Sequence, residues 1–300
     1  MSGLDAKNTL KMLLKEIQTI FHSELDSRYG TQEVTSFFSL LINHFLGLEK
    51  FVLILQPNLV VSKEDETLLF KALSELKQDV PVQYIIGETE FMDLKLKVLP
   101  DVLIPRPETE DLVRWILDDH QGKQHPSLKI LDIGTGSGCI AISLAKHIVN
   151  AKVSALDISR NALTIARSNA ELNRVQIDFH QVDILDKTLK ITTESNFNMI
   201  VSNPPYVREL EKNEMHANVL NHEPEIALFV PDKDPLVFYK AIATFAEQHL
   251  VANGSLYLEI NQYLGKAMLA LLNEHNFKNI ELGKDIFGNN RMMKATCGGR

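Results

Sequence analysis

The chain has 300 residues, 45% of them hydrophobic and 23% charged, which excludes a disordered polypeptide and allows one large domain or two modest ones. Its 31 Lys and Arg against 39 Asp and Glu give a net charge of −8, unsuited to non-specific binding of nucleic acid or anionic lipid. Two cysteines, Cys139 and Cys297, form neither a disulfide framework nor a Cys-rich metal site, so no metal is expected. Met1 to Leu10 has no apolar signal region. The most apolar stretch, Phe51 to Val61, is broken by Gln56, Pro57 and Asn58, so the expected location is cytoplasmic, without membrane contact.

Residues 1–80 contain only Gly3, Gly30 and Gly47 and carry helical apolar stripes. Leu10, Leu13, Leu14, Ile17 and Phe21 form the first, and Val34, Phe37, Phe38, Leu41 and Phe45 the second. Glu49 to Leu55 is a short third, stopped by Pro57. Ser62 followed by Asp65 resembles a capping box before a fourth stripe of Leu69, Leu73 and Leu76. Amphipathic helices on short connections predict a small bundle. It carries no chemical motif, and partner contact is its expected use.

Residues 81–106 change character. Phe91, Leu94, Leu96 and Val98 suggest extended structure and Pro100-Asp101 a turn, so a β-hairpin linker is predicted. Arg106-Pro107-Glu108-Thr109-Glu110 opens a helix, with proline in its first turn and acids at the positive end of its dipole. From there to residue 300, strand and helix patterns alternate. Strands are predicted at Ile130 to Ile133, Val153 to Asp157, Gln176 to Val182, Met199 to Ser202 and Ser255 to Ile260. Helices are predicted at about Ser137 to Ile148, Asn161 to Leu172, Leu236 to Leu250 and Tyr263 to His275. This is the pattern of an α/β, doubly wound, mostly parallel sheet; Asn279 to Gly283 and Met292 to Thr296 add an antiparallel hairpin at its end.

Two motifs carry chemistry. Asp132-Ile133-Gly134-Thr135-Gly136-Ser137-Gly138 lies where a strand ends and a helix begins, and its glycines permit a sharp turn and close approach of a ligand. Asp157 ends the next strand, where a carboxylate can accept ribose hydroxyls. Gly136 to Ala141 also fits the dinucleotide fingerprint, so the loop alone divides between S-adenosylmethionine and a dinucleotide. Asp132 favours the first, because a carboxylate there repels pyrophosphate and suits a methionyl ammonium. The second motif, Asn203-Pro204-Pro205-Tyr206, follows the strand Met199 to Ser202 at the same sheet edge. The Asn203 amide oxygen and the Pro204 carbonyl can both accept from one planar NH2 group, and Tyr206 can stack on its flat face. A planar amino group is therefore the expected methyl acceptor.

With these residues in view, the chain resembles the glutamine N5-methyltransferases of peptide-chain release factors, the PrmC/HemK family. The resemblance is carried by Gly87-Glu88-Thr89-Glu90-Phe91, Leu103-Ile104-Pro105-Arg106-Pro107-Glu108-Thr109-Glu110, Asp132 to Gly138, and Asn203 to Tyr206. It continues through His222-Glu223-Pro224, Ala227-Leu228, Leu236 with Phe238-Tyr239, and Leu258-Glu259-Ile260. It implies a Rossmann-like methyltransferase sheet at 107–300 and a helical substrate-recognition domain at 1–80, joined by the hairpin at 81–106. It also implies in-line transfer of a methyl group from S-adenosylmethionine, leaving S-adenosylhomocysteine, to the glutamine of the Gly-Gly-Gln motif in class I release factors. Asp132, Gly134, Thr135, Gly136, Ser137, Gly138, Asp157, Asp183, Ile184 and Asn203 would hold the cofactor. Phe91, Asn203, Pro204, Pro205 and Tyr206 would hold the glutamine, with Asn203, Pro204 and Tyr206 serving catalysis. The family often has an aromatic residue where Ile184 stands, and Gly-x-Asp-Gly where this chain reads Pro231-Asp232-Lys233-Asp234. Arg106 is read as an ion-pair or substrate residue, His222 as structural or partner-contacting, and Glu223-Pro224 as loop structure. The alternative class is a nucleic-acid adenine or guanine amino methyltransferase, which shares Asn-Pro-Pro-Tyr but normally carries a basic surface.

Overall fold

The computed structural model describes residues 11–122, 127–186 and 196–298. The chain forms two compact units, Met1–Ile86 and Gly87–Arg300. The first comprises α1 (Leu14–Tyr29), α2 (Thr31–Leu46), α3 (Val52–Leu55), α4 (Lys63–Leu76) and α5 (Val82–Ile86). The predicted stripes face its interior: Leu14, Ile17, Phe21, Val34, Phe38, Leu41, Leu69 and Leu76 are all buried in one core. Phe21 and Phe38 meet edge to face at 5.1 Å, a geometry that adds specific attraction to area burial. Ser62 caps α4, its hydroxyl accepting the Asp65 N–H at 3.1 Å. Leu10 of the first stripe lies outside the described residues.

The segment 81–106 is not a single hairpin linker. Val82–Ile86 is helical and belongs to the first unit, so the division falls after residue 86 rather than 80. Pro81 starts this turn, its carbonyl accepting from Tyr84 and Ile85 N–H at 2.9 and 3.2 Å. The hairpin itself, β1 (Glu88–Phe91) and β2 (Leu94–Lys97), is part of the second unit.

That unit continues with α6 (Pro107–His120), β3 (Leu128–Ile133), α7 (Cys139–His147), β4 (Ala151–Asp157), α8 (Arg160–Asn173), β5 (Ile177–Gln181) and β6 (Phe197–Ser202). Next come β7 (Val207–Arg208), α9 (Ala217–His222), β8 (Phe229–Val230), α10 (Val237–His249) and β9 (Leu250–Glu259). The last elements are α11 (Gly265–Glu274), β10 (Phe277–Lys284) and β11 (Asn290–Cys297). The seven-stranded sheet has the order β10-β11-β9-β6-β3-β4-β5. β9, β6, β3, β4 and β5 pair in parallel, whereas β10-β11 and β11-β9 pair antiparallel, as the sequence pattern predicts. Alternating residues feed two cores. Leu131, Ile133, Ile200, Leu256 and Leu258 pack with α10 and α11. Ile130, Met199, Val201 and Tyr257 pack with α6 and α7. Burial on both faces is why the central strands read as unbroken apolar runs. The chain leaves β3 for β4 on one side and later places β6 on the other. The crevice at their carboxyl ends is therefore the topological switch point, where open α/β sheets bind ligands.

Candidate active site

The loop after β3 takes the conformation its glycines allow: Gly134, Gly136 and Gly138 all have positive φ, at 73°, 54° and 84°. Nothing lies within 4 Å of where a Cβ would sit on Gly134 or Gly136, so the backbone there is open to a ligand. Gly138 differs. A Cβ would come within 2.9 Å of Ile142 Cδ1 and 3.2 Å of Ala166 Cβ, so this glycine serves helix packing. The N–H groups of Gly134 and Thr135 donate to the Leu156 carbonyl at 2.8 and 2.9 Å, fastening the loop to β4.

Asp132 is fully buried beneath this loop. Its Oδ2 accepts the Thr135 hydroxyl at 2.6 Å, while Oδ1 is buried with no hydrogen-bond partner. Burial pushes the carboxyl up to about 7, with the nearby Asp157 charge acting in the same direction and the Thr135 hydroxyl against it. Asp157 accepts the Gly136 N–H on one oxygen and the Ser159 N–H on the other, both at 2.8 Å. Burial raises its pKa too, and these N–H donors oppose the rise. Each carboxylate oxygen keeps further lone-pair capacity for a ligand hydroxyl.

A cavity of about 280 Å³ opens over this loop. Gly134, Gly136, Asp157, Asp183, Ile184, Asn203, Pro204 and Pro205 line it, with Ile158, Val182, Phe238 and Ile242 giving an apolar wall. Asp183 is set by its own turn, its Oδ1 accepting the Leu185 N–H at 2.8 Å. A second cavity of about 240 Å³ is lined by Arg106, Tyr206, Met215, Val219, Leu228 and Glu259, among others. Leu103, Asn203, Pro204 and Ala227 line both cavities. The first two residues of the Asn-Pro-Pro-Tyr turn thus stand in the wall shared by a loop-side chamber and a second chamber.

The turn is held from behind. Asn203 Nδ2 donates to Thr109 Oγ1 at 3.1 Å, Thr109 Oγ1 donates to Glu259 Oε2 at 2.6 Å, and Tyr206 Oη donates to Glu259 Oε1 at 2.9 Å. Glu259 is 1% exposed, and burial raises its pKa against the pull of both hydroxyls and of Arg291. Ser202 Oγ donates to the Ile133 carbonyl at 2.6 Å, tying the end of β6 to the end of β3. Asn261 Nδ2 donates to the Tyr206 carbonyl at 3.1 Å, fixing the far side of the turn.

Most expected site residues converge here, with three distinctions. Asp132, Thr135, Ser137 and Gly138 shape the loop from beneath and do not line the described cavities. Tyr206 lines the second cavity only. Phe91 lines neither described cavity. It is 1% exposed, in the buried core that also holds Leu96 and Leu112. Arg106 pairs with Glu223 at 2.5 Å, and Glu223 Oε2 accepts the Ile104 N–H at 3.1 Å, so the Glu223-Pro224 loop anchors the segment before α6. Thr109 and Glu259 escaped functional reading, although both lie in quoted motifs; they are 150 residues apart, and only the fold brings them together.

Comparison with known proteins follows the same division. Residues 115–228 match the family described as Methyltransferase small domain, and residues 21–87 match the PrmC N-terminal domain. A protein of Flavobacterium psychrophilum named release factor glutamine methyltransferase is 49% identical over 285 residues, covering 95% of this chain and 99% of that one. A Bacteroides thetaiotaomicron protein of the same name is 41% identical over 283 residues, covering 94% and 99%. Among solved structures, a methyltransferase from Pyrococcus furiosus aligns with 80% of this chain and all of that one at 18% identity and a TM-score of 0.50, a likeness of fold.

Proposed function

This chain belongs to the release factor glutamine methyltransferase family and is a methyltransferase, and from that premise we propose that it methylates the side-chain nitrogen of the Gly-Gly-Gln glutamine in class I release factors, using S-adenosylmethionine. The observation that carries this reading is the shared wall: Asn203 and Pro204 line both cavities, so the groups suited to an NH2 sit between a donor chamber and an acceptor chamber.

The donor chamber fits such a cofactor. Asp157 lines it and offers carboxylate oxygens to ribose hydroxyls, Gly134 and Gly136 leave their backbone open, and Ile158, Val182 and Ile184 suit an adenine face. Asp132, buried beneath the glycine loop, is a carboxyl whose ionised form a nearby positive charge would stabilise. When bound, S-adenosylmethionine would supply an electrophilic methyl group on a sulfonium, open to in-line displacement by the amide nitrogen, with S-adenosylhomocysteine leaving as the C–S bond breaks and one amide proton released to solvent.

An amide nitrogen is a poor nucleophile because its lone pair is delocalised into the carbonyl. Accepting its protons at Asn203 Oδ1 and the Pro204 carbonyl increases electron density on nitrogen and aims it. Orientation of this kind contributes about 7–11 kcal/mol in well-aligned systems. Tyr206, pinned by Glu259 and Asn261, forms a wall of the acceptor chamber against which the flat amide can lie. Class I release factors are thus the proposed partners and the cytoplasm the proposed location; no helix among the described residues is long and apolar enough to cross a membrane.

The test is Asn203→Ala in single-turnover methylation of a release factor with enzyme in excess. Loss of one oriented partner predicts a rate lower by about 10²–10³, with little change in cofactor affinity. A wild-type rate would remove the physical support for a planar amide acceptor.

A further inference from the structure

We infer that the buried carboxylate of Glu259, acting through Thr109, fixes which way round the Asn203 side-chain amide sits, and so makes the acceptor chamber select a primary amide over a carboxylate. This rests on the amide-acceptor reading above and assigns two positioning residues to it.

The Thr109 and Tyr206 hydroxyls and the Arg291 charge favour the ionised form of Glu259 against its burial; in that form the carboxylate only accepts, and a hydroxyl has one proton to give. Glu259 Oε2 takes the Thr109 proton at 2.6 Å, and Oε1 takes the Tyr206 proton at 2.9 Å. With its proton committed, Thr109 Oγ1 can only accept, and the atom it meets at 3.1 Å is Asn203 Nδ2. The reverse amide orientation would place two acceptors, Asn203 Oδ1 and Thr109 Oγ1, against each other. Thr109 is 2% exposed and Glu259 1%, so water cannot readily repair that mismatch, and an unpaired buried polar group is costly. Asn203 is thereby held with its nitrogen toward Thr109 and its oxygen left for the ligand.

Glutamine and glutamate differ at this point alone. Glutamine brings an NH2 that satisfies an acceptor, whereas glutamate brings a second acceptor and a negative charge. A site built around one hydrogen bond can reject an analogue that cannot make it by several orders of magnitude. Were Asn203 free to turn over, Nδ2 would face the ligand, and of the two acceptors that favour an amide over a carboxylate only the Pro204 carbonyl would remain. The Glu259–Thr109 chain removes that option.

Three variants test this, alongside a measurement on the unaltered protein. Thr109→Val keeps the shape and removes the hydroxyl; Thr109→Ser keeps the hydroxyl. Glu259→Gln can donate to Thr109, which frees the Thr109 proton for Asn203 Oδ1 and permits the reversed amide. We expect Thr109→Val to lower kcat on intact release factor by about 10²-fold, the cost of a misplaced reacting group, while cofactor affinity and KM change far less. Thr109→Ser should restore most of the rate. A release factor with glutamate in place of the target glutamine should inhibit Glu259→Gln more strongly than it inhibits wild type. In the wild-type protein, NMR cross-peaks should join the Asn203 side-chain NH2 protons to the Thr109 methyl group. Wild-type kcat in Thr109→Val with an unchanged preference between glutamine and glutamate would overturn the inference. So would absent cross-peaks in the wild-type protein, a result independent of whether any variant folds. Failure of the wild-type enzyme to modify glutamine at all would instead overturn the functional reading.

Discussion

Asp157 ends β4 and Asp132 stands one residue before the end of the adjacent β3, but burial divides their work. Asp157 lines the donor cavity and holds the loop through the Gly136 N–H. Its replacement by Ala should weaken S-adenosylmethionine binding by about 1.5–3 kcal/mol, the scale of hydrogen bonds to a charged group, as calorimetry on the folded variant would read. Unchanged affinity would remove it from the ribose site. Asp132 lies below, its carboxyl raised to about 7 by burial, against roughly 3.9 in an unfolded chain. Between those values the folded protein holds a proton that the unfolded chain releases, so this residue's contribution to stability declines as pH rises from about 4 to about 7. Without cofactor, Asp132→Asn should therefore gain in melting temperature relative to wild type on going from about pH 5 to about pH 8. A difference that stays flat or falls would contradict a carboxyl raised by burial. Both acids were legible in the sequence because each stands at or next to the carboxyl end of a strand, one beside the glycine turn and the other one strand beyond it. Thr109 and Glu259 were not, because a hydroxyl in a helix's first turn and an acid at a strand end have ordinary local explanations. Phe91, an aromatic residue in a family motif, is buried in the core, a place its motif alone does not reveal.

At the scale of elements, the hairpin β1–β2 is sewn to α8 by two buried asparagines. Asn169 accepts the Lys97 N–H at 2.7 Å and donates to the Lys97 carbonyl at 3.0 Å and the Ser137 carbonyl at 2.9 Å. Asn173 donates to the Lys95 carbonyl at 2.8 Å. One fully buried side chain thus joins the hairpin, α8 and the glycine loop. Asn169→Ala would leave buried backbone groups unpaired, costing about 1–3 kcal/mol for each one that water cannot reach. Urea unfolding should show that loss; a stability within about 0.5 kcal/mol of wild type, the scale of a neutral surface change, would refute the clamp. The parallel strands and their helices were readable because continuous apolar runs and helical stripes leave few alternatives at these lengths. The turn α5 was not. Val82-Gln83-Tyr84-Ile85-Ile86 is rich in β-branched and aromatic residues, and tertiary packing overrides that strand preference. Pro81, poised to start a helix, was the overlooked signal. The loop Gly134 to Gly138 similarly delayed α7 to Cys139, since positive φ cannot begin a right-handed helix.

On the scale of the whole molecule, each unit has a core of its own: the buried residues of the first all lie at or before Val82, and those of the second at or after Phe91. The active-site residues all belong to the second unit. The first has apolar stripes and no chemical motif, which supports a role in recognising the protein substrate. A chain beginning at Gly87 should fold, bind S-adenosylmethionine with near-native affinity, and methylate intact release factor poorly. Full activity from that shortened chain would assign recognition to the second unit instead. The most direct test of the account uses both proteins whole. A recombinant class I release factor is incubated with the full-length enzyme and S-adenosylmethionine, and its peptides are read by tandem mass spectrometry. The account predicts a single methyl group on the side-chain nitrogen of the Gly-Gly-Gln glutamine, absent when the cofactor is omitted. An unmodified glutamine, with methyl groups found on RNA or DNA supplied in parallel, would contradict it.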